Sequence, residues 1–171
     1  MIIEHNIVGN KILEASISQD LLSRLQEEIV PYFFESLETS KKYPTESDVY
    51  LFRTPPTLTE PMIGPGYQLL SRTTDVMLEL ESAIKEELSN YFGREYRAID
   101  KWILVQTTDE WIDNPVHTHM VAEWVGCVYI NLNENDSIEF FDDGDNSEKF
   151  YPKEGTVLIF PGIVKHKPNI N

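Results

Sequence analysis

The apolar periodicity of this chain changes at Gly93, and that change limits the fold more than any other feature. Before it, apolar residues recur at helical spacing. Val76, Met77, Leu80, Ala83, Ile84, Leu88 and Tyr91 form one stripe within 72–92, and Gly93 stands where a helix C-cap belongs. Further upstream, Ser18 precedes Gln19 and Asp20 as an N-cap. Leu21, Leu22, Leu25 and Ile29 then mark an amphipathic helix over 19–29, which Pro31 ends or kinks. Residues 32–38 read as one or two further helical turns, and 10–17 as a short strand. After Gly93 the period becomes two. Residues 102–105, 124–132, 137–141 and 155–160 read as strands, linked by turn formers at 133–136 and 142–146. Helices followed by a run of short strands make the class α+β, with the strands in a sandwich or small barrel.

Between the two helices lies a long segment, 43–68, punctuated by Pro44, Pro55, Pro56, Pro61 and Pro65. Irregular segments of this length in a domain are commonly functional or disordered. Two readings stand side by side: a lid over a site, or an arm packed on the sheet.

At 171 residues, 41% of them hydrophobic, the chain makes one domain with a full core. No apolar run approaches the ~20 residues that span a bilayer. Met1–Asn10 lacks a basic flank followed by an apolar stretch, so no signal peptide is expected. A single cysteine, Cys127, excludes an intrachain disulfide and reads as a small buried hydrophobe in a reducing, cytoplasmic compartment. The formal net charge of −15, from 29 acidic against 14 basic residues, repels nucleic-acid phosphates and anionic membranes. No nucleic-acid or membrane partner is therefore expected.

Only four histidines occur, and three of them, His117, His119 and His166, fall in the β-rich half. On an extended segment His117 and His119 project to the same side. His166 follows the last strand and a Pro161-Gly162 turn, from which a sheet closed on itself returns it opposite the pair. Two same-face imidazoles and one from a distant strand give a facial metal site with open positions. Imidazole suits iron, zinc, copper and nickel alike, so the ligands alone do not name the metal. The plainer reading is two histidines on a solvent-facing strand and a third held by hydrogen bonds in the core.

The context of these histidines carries a resemblance. His117-Thr118-His119, Gly126, Tyr129, Phe141-Asp142, Pro152, Gly155, Phe160-Pro161, His166 and Pro168-Asn169 together resemble the 2-oxoglutarate/Fe(II) oxygenase family found in bacteria, phages and marine viruses. The resemblance covers about residues 98–171. It implies a double-stranded β-helix (jelly-roll, cupin-like), with helices of about 1–97 supporting a metal-binding core of about 98–171 in one domain, 1–171. It also implies Fe(II) on His117, His119 and His166, with 2-oxoglutarate as cosubstrate. The activity implied is C–H hydroxylation of a peptide or small-molecule partner; a viral member would work in the host cytoplasm. By position Tyr129, and more distantly Gln106, are candidates for contacting the cosubstrate carboxylate. The alternative for Tyr129 is a core tyrosine with a satisfied hydroxyl, and packing is also the reading for Trp102 and Trp124.

The pattern departs from the family at two points. Many related enzymes use H-x-D or H-x-E, whereas here the second position is His119; the alternative is one of the pair with a carboxylate such as Asp113 or Glu123. The family also places an arginine roughly ten residues beyond the last histidine, to anchor the far carboxylate of 2-oxoglutarate. The five residues after His166 include none, so the expectation is a longer natural chain or a substitute among Lys153, Lys165 and Lys167. A three-histidine cupin-like metalloenzyme without 2-oxoglutarate and a non-catalytic binding module are the competing readings.

Overall fold

The computed structural model describes residues 2–28, 30–31, 50–54, 75–97, 101–105, 116–144 and 146–169, with only the backbone at 50–54 and 101–105. The described elements are β1 (Ile3–Ile7), β2 (Asn10–Ser16), α1 (Gln19–Glu28), β3 (Tyr50–Thr54), α2 (Asp75–Phe92), β4 (Lys101–Val105), β5 (Trp124–Val128), β6 (Ser137–Phe141), β7 (Ser147–Phe150), β8 (Thr156–Pro161) and β9 (Lys165–Asn169). All ladders are antiparallel. β1-β2-β8-β5 make a main sheet, β7-β6-β9 a second sheet, and β3-β4 a separate pair.

Both helices form for the local reasons visible in the sequence. The Ser18 hydroxyl accepts a hydrogen bond from the Leu21 amide at 3.1 Å, which satisfies one of the orphan donors of α1. Gly93, at φ 68°, ends α2 in the left-handed conformation that glycine adopts without a Cβ penalty, and its amide reaches the Ser89 carbonyl at 2.8 Å. The buried faces are Leu21, Leu22 and Leu25 on α1, and Val76, Leu80 and Leu88 on α2.

These faces lie on one side of the main sheet. Leu13 and Ala15 of β2 and Val157 and Ile159 of β8 meet Leu88, Tyr91 and Phe92 of α2 there. Strand alternation sends the intervening residues to the opposite side. Ile12, Val125, Leu158 and Phe160 therefore pack against Ile138 and Phe140 of β6 and against Val164. The order of layers is helices, main sheet, second sheet: an α+β antiparallel sandwich.

Several expectations are corrected. The strand expected over 10–17 is present as β2, but it is one half of a hairpin with β1, which was not expected, and it pairs with β8, Leu13 opposite Ile159. The sequence carries no hairpin signal here because the turn is Val8-Gly9, with Val8 at φ 43°, a conformation unusual for a β-branched residue. Residues 50–54, inside the supposed irregular segment, are strand β3 paired with β4. The strand expected over 124–132 stops at Val128, and β7 and β9 are strands the alternation did not mark. The rest of 43–68 lies outside the described residues, and with it the choice between lid and arm. The expected turns at 133–136 and 142–146 are present, each tied by an aspartate. Asp136 accepts from the Asn133 amide at 2.7 Å, and Asp142 from the amides of Gly144 and Asn146 at 2.8 and 3.2 Å.

Candidate metal centre

His166 lies on β9, and the residue opposite it on β6 is Phe140. On its other side the chain at His117 pairs with it directly. The amide of each residue donates to the carbonyl of the other at 3.0 Å, a bridge that adds the H-x-H segment to the edge of the second sheet. Phe140, His166 and His117 thus stand in one row across three neighbouring chain segments. Phe140 and His166 face the main sheet, where the Phe160 ring meets the His166 ring at 4.7 Å between centroids. His119 follows two residues after His117, and its amide donates to the Gly162 carbonyl at 2.7 Å.

The three rings converge. Centroid separations are 5.0 Å for His117–His119, 4.4 Å for His117–His166 and 5.1 Å for His119–His166, and one ligand nitrogen from each lies within 4.8 Å of the others. Metal–imidazole bonds of ~2.1 Å in a facial or tetrahedral set put ligand nitrogens about 3.0–3.4 Å apart. The rings would draw in by up to about 1.5 Å at the widest pair to share one ion, through side-chain rotation. This three-histidine group can hold a metal ion.

The environment is graded from inside to out. His166 is buried, His119 half-buried and His117 exposed. Burial pushes the His166 imidazolium down to about 4, with the neighbouring histidines adding to the effect, so this ring is neutral at ordinary pH. Its Nδ1–H donates to the Val164 carbonyl at 2.9 Å, and Nε2 is left as the ligand atom. Phe140 and Phe160 close the inner side, and the exposed side of His117 is the way in. Among the described residues seven large apolar side chains are exposed. Four of them, Val116, Met120, Val121 and Ile163, sit in sequence beside the H-x-H segment or in the turn before His166.

The other sequence candidates divide. Tyr129 follows β5 on the face that packs in the inter-sheet core, and burial drives its phenol well above the ordinary tyrosine range, so it is held as an O–H donor. Its backbone lies four residues, about 13 Å, along the chain from Val125, which pairs with Phe160 beside the triad. Gln106 and Asp113 lie outside the described residues, as does the side chain of Trp102. Glu123, the other alternative ligand, turns instead to an ion pair with Arg94. Lys165 and Lys167 are on the opposite face of β9 from His166, paired with Asp143 at 3.4 Å and Glu139 at 3.7 Å. Lys153 lies beyond the far end of β8, about 17 Å of strand from the triad. None of the three lysines therefore replaces the expected arginine in this arrangement. Trp124 packs on Phe92 at 4.6 Å, as a core residue. Cys127 is likewise a packing residue, its thiol pushed up to about 12 by burial.

Two contributors were not singled out from sequence: Val164, whose carbonyl orients His166, and Gly162, whose carbonyl holds His119. The Pro161-Gly162 dipeptide was legible as a turn, but not as the contact point of a second loop.

No protein-family model, no curated protein and no solved structure matches the chain. The site therefore rests on its own geometry. Among the described residues no helix is long and apolar enough to cross a membrane.

Proposed function

We propose that this chain is an Fe(II)- and 2-oxoglutarate-dependent oxygenase built on a double-stranded β-helix, acting in the cytoplasm on a peptide or small molecule that presents an apolar group. The observation that carries the reading is the convergence of His117, His119 and His166 between two packed antiparallel sheets, open on one side. The motif resemblance over residues 98–171 supplies the iron and the cosubstrate. When bound, Fe(II) with 2-oxoglutarate and O2 supplies the oxidising power for C–H hydroxylation.

The chain's own residues bind, orient and exclude water. Three neutral imidazoles give iron a donor set it accepts, and three protein ligands leave positions for exogenous oxygen donors. Val164 fixes the tautomer of His166. Phe140 and Phe160 keep the inner side dry. Tyr129 offers a protonated phenol deeper in the inter-sheet space, where it can donate to a carboxylate. The exposed apolar residues at the mouth suit an apolar substrate group.

Anaerobic Fe(II) titration with and without 2-oxoglutarate tests the reading, in the wild type and in His119→Ala. A weak visible charge-transfer band that needs both components and vanishes in the variant is expected. Metal uptake without that band moves the function to the second reading, a three-histidine metalloenzyme that does not use 2-oxoglutarate. That reading is favoured by the engagement of Lys165 and Lys167 with carboxylates on the far face of β9. Absence of any metal uptake leaves a β-sandwich binding module.

A further inference from the structure

Gly162 occupies a position no other residue type fits. A Cβ there would lie 2.5 Å from the His119 carbonyl oxygen and closer still to that of Ala122, both of them backbone atoms that cannot swing aside. Its φ is not in the left-handed region, which among the described glycines holds Gly9, Gly93 and Gly155. The requirement at 162 is therefore steric, a close approach of two backbones rather than a special conformation.

Three backbone hydrogen bonds meet at this approach. The β5–β8 ladder, in which Trp124 faces Pro161, continues one step as Gly162 N–H to the Glu123 carbonyl at 3.0 Å. The Gly162 carbonyl accepts from the His119 amide at 2.7 Å, and the His119 carbonyl accepts from Ala122 at 2.9 Å, which closes the 119–122 turn. The same short link then turns at Pro161–Val164, where the Val164 amide donates to the Pro161 carbonyl at 3.0 Å, and it orients His166 through the Val164 carbonyl. One segment, 161–166, thus sets two of the three ligands, and the third pairs with His166.

We propose that Gly162 is the positioning residue of the metal centre: as a side chain-free contact between the β8–β9 link and the 119–122 turn, it holds His119 beside His117 and His166. The inference rests on the metal-binding reading above but adds a requirement that reading does not contain. Removing an orienting partner of a ligand typically weakens metal affinity by 10–100-fold.

The test is anaerobic titration with Co(II), read from its visible absorption, on the wild type, Gly162→Ala and Gly126→Ala. At 126 a Cβ would meet only Ile84 Cγ2 at 3.7 Å, an ordinary contact, so that variant is the control. Gly162→Ala is expected to bind Co(II) at least about tenfold more weakly while its far-UV circular dichroism stays that of the wild type. Gly126→Ala is expected to bind as the wild type does. Equal affinity in wild type and Gly162→Ala would overturn the inference. Amide hydrogen exchange on the metal-free protein supplies an arm that needs neither metal nor a variant that folds. In the wild type the amides of His119, Ala122 and Gly162 should open as one unit, and independent exchange of the three would also overturn the clamp. If the wild type takes up no Co(II), the metal reading fails on its own, and cooperative exchange then still decides whether Gly162 pins the turn.

Discussion

The two faces of the main sheet bury similar side chains and serve different ends. On the outer face Leu13, Ala15, Val157 and Ile159 pack against Leu88, Tyr91 and Phe92 of α2. On the inner face Val125, Leu158 and Phe160 meet the second sheet, and at one end of that layer the Phe160 ring packs on a buried histidine. A buried imidazole is costly when charged and needs a hydrogen-bond partner when neutral. Val164 provides that partner, so the inner layer is committed to positioning polar groups in a way the outer layer is not. Stability alone is at stake on one side of the sheet; stability and site geometry are coupled on the other.

Paired truncations probe that coupling with the largest effect. Phe160 and Leu25 are both fully buried, one on each side. Phe160→Ala should cost about 3–5 kcal/mol and Leu25→Ala about 2–5 kcal/mol in denaturant unfolding. Only Phe160→Ala should also weaken Co(II) binding by the folded protein. Equal metal affinities in the two variants would erase the distinction between the faces.

Acid titration sharpens the comparison next. The His166 ring takes up its proton at about 4 in the folded state and near the ordinary 6.5 when unfolded. A base with a depressed folded pKa is protonated first in the unfolded chain, so its contribution is complete above pH ~6.5 and is lost as pH falls toward ~4. The metal-free protein should lose of the order of 3 kcal/mol through this one group over that window. The difference between the stability curves of wild type and His166→Asn isolates it. A difference that stays constant from pH 7 to 4 would mean the ring is not held neutral by the inner layer.

The smallest expected change belongs to the outer layer. Ser18→Ala removes the cap of α1 and should cost about 1 kcal/mol, with no change in metal affinity. Any loss of Co(II) binding in that variant would show that the helices influence the site through the sheet.

What was legible follows from how local each feature is. The helices were readable because capping and a 3.6-residue stripe are set by residues close in sequence: Ser18 caps Leu21, and Gly93 closes on Ser89. The turns at Asp136 and Asp142 were readable for the same reason. β7 and β9 were not, because residues such as Ser147, Lys149, Lys165 and Lys167 carry little apolar alternation, and these segments become strands only by pairing with β6. β1 was hidden by a turn with valine at a positive φ.

The same division runs through the site. The sequence by itself determined that three histidines fall in the β-rich half, two of them spaced to share a face, with a proline-glycine turn before the third. Only the tertiary structure decided that they meet, that His166 is the buried neutral member, that Glu123 turns to Arg94, and that Lys165 and Lys167 point the other way. Spacing along a strand selects a face, but which chain segment lies opposite is settled by long-range pairing and close packing. Here the deciding contacts join residues more than forty positions apart, His117 with His166 and His119 with Gly162.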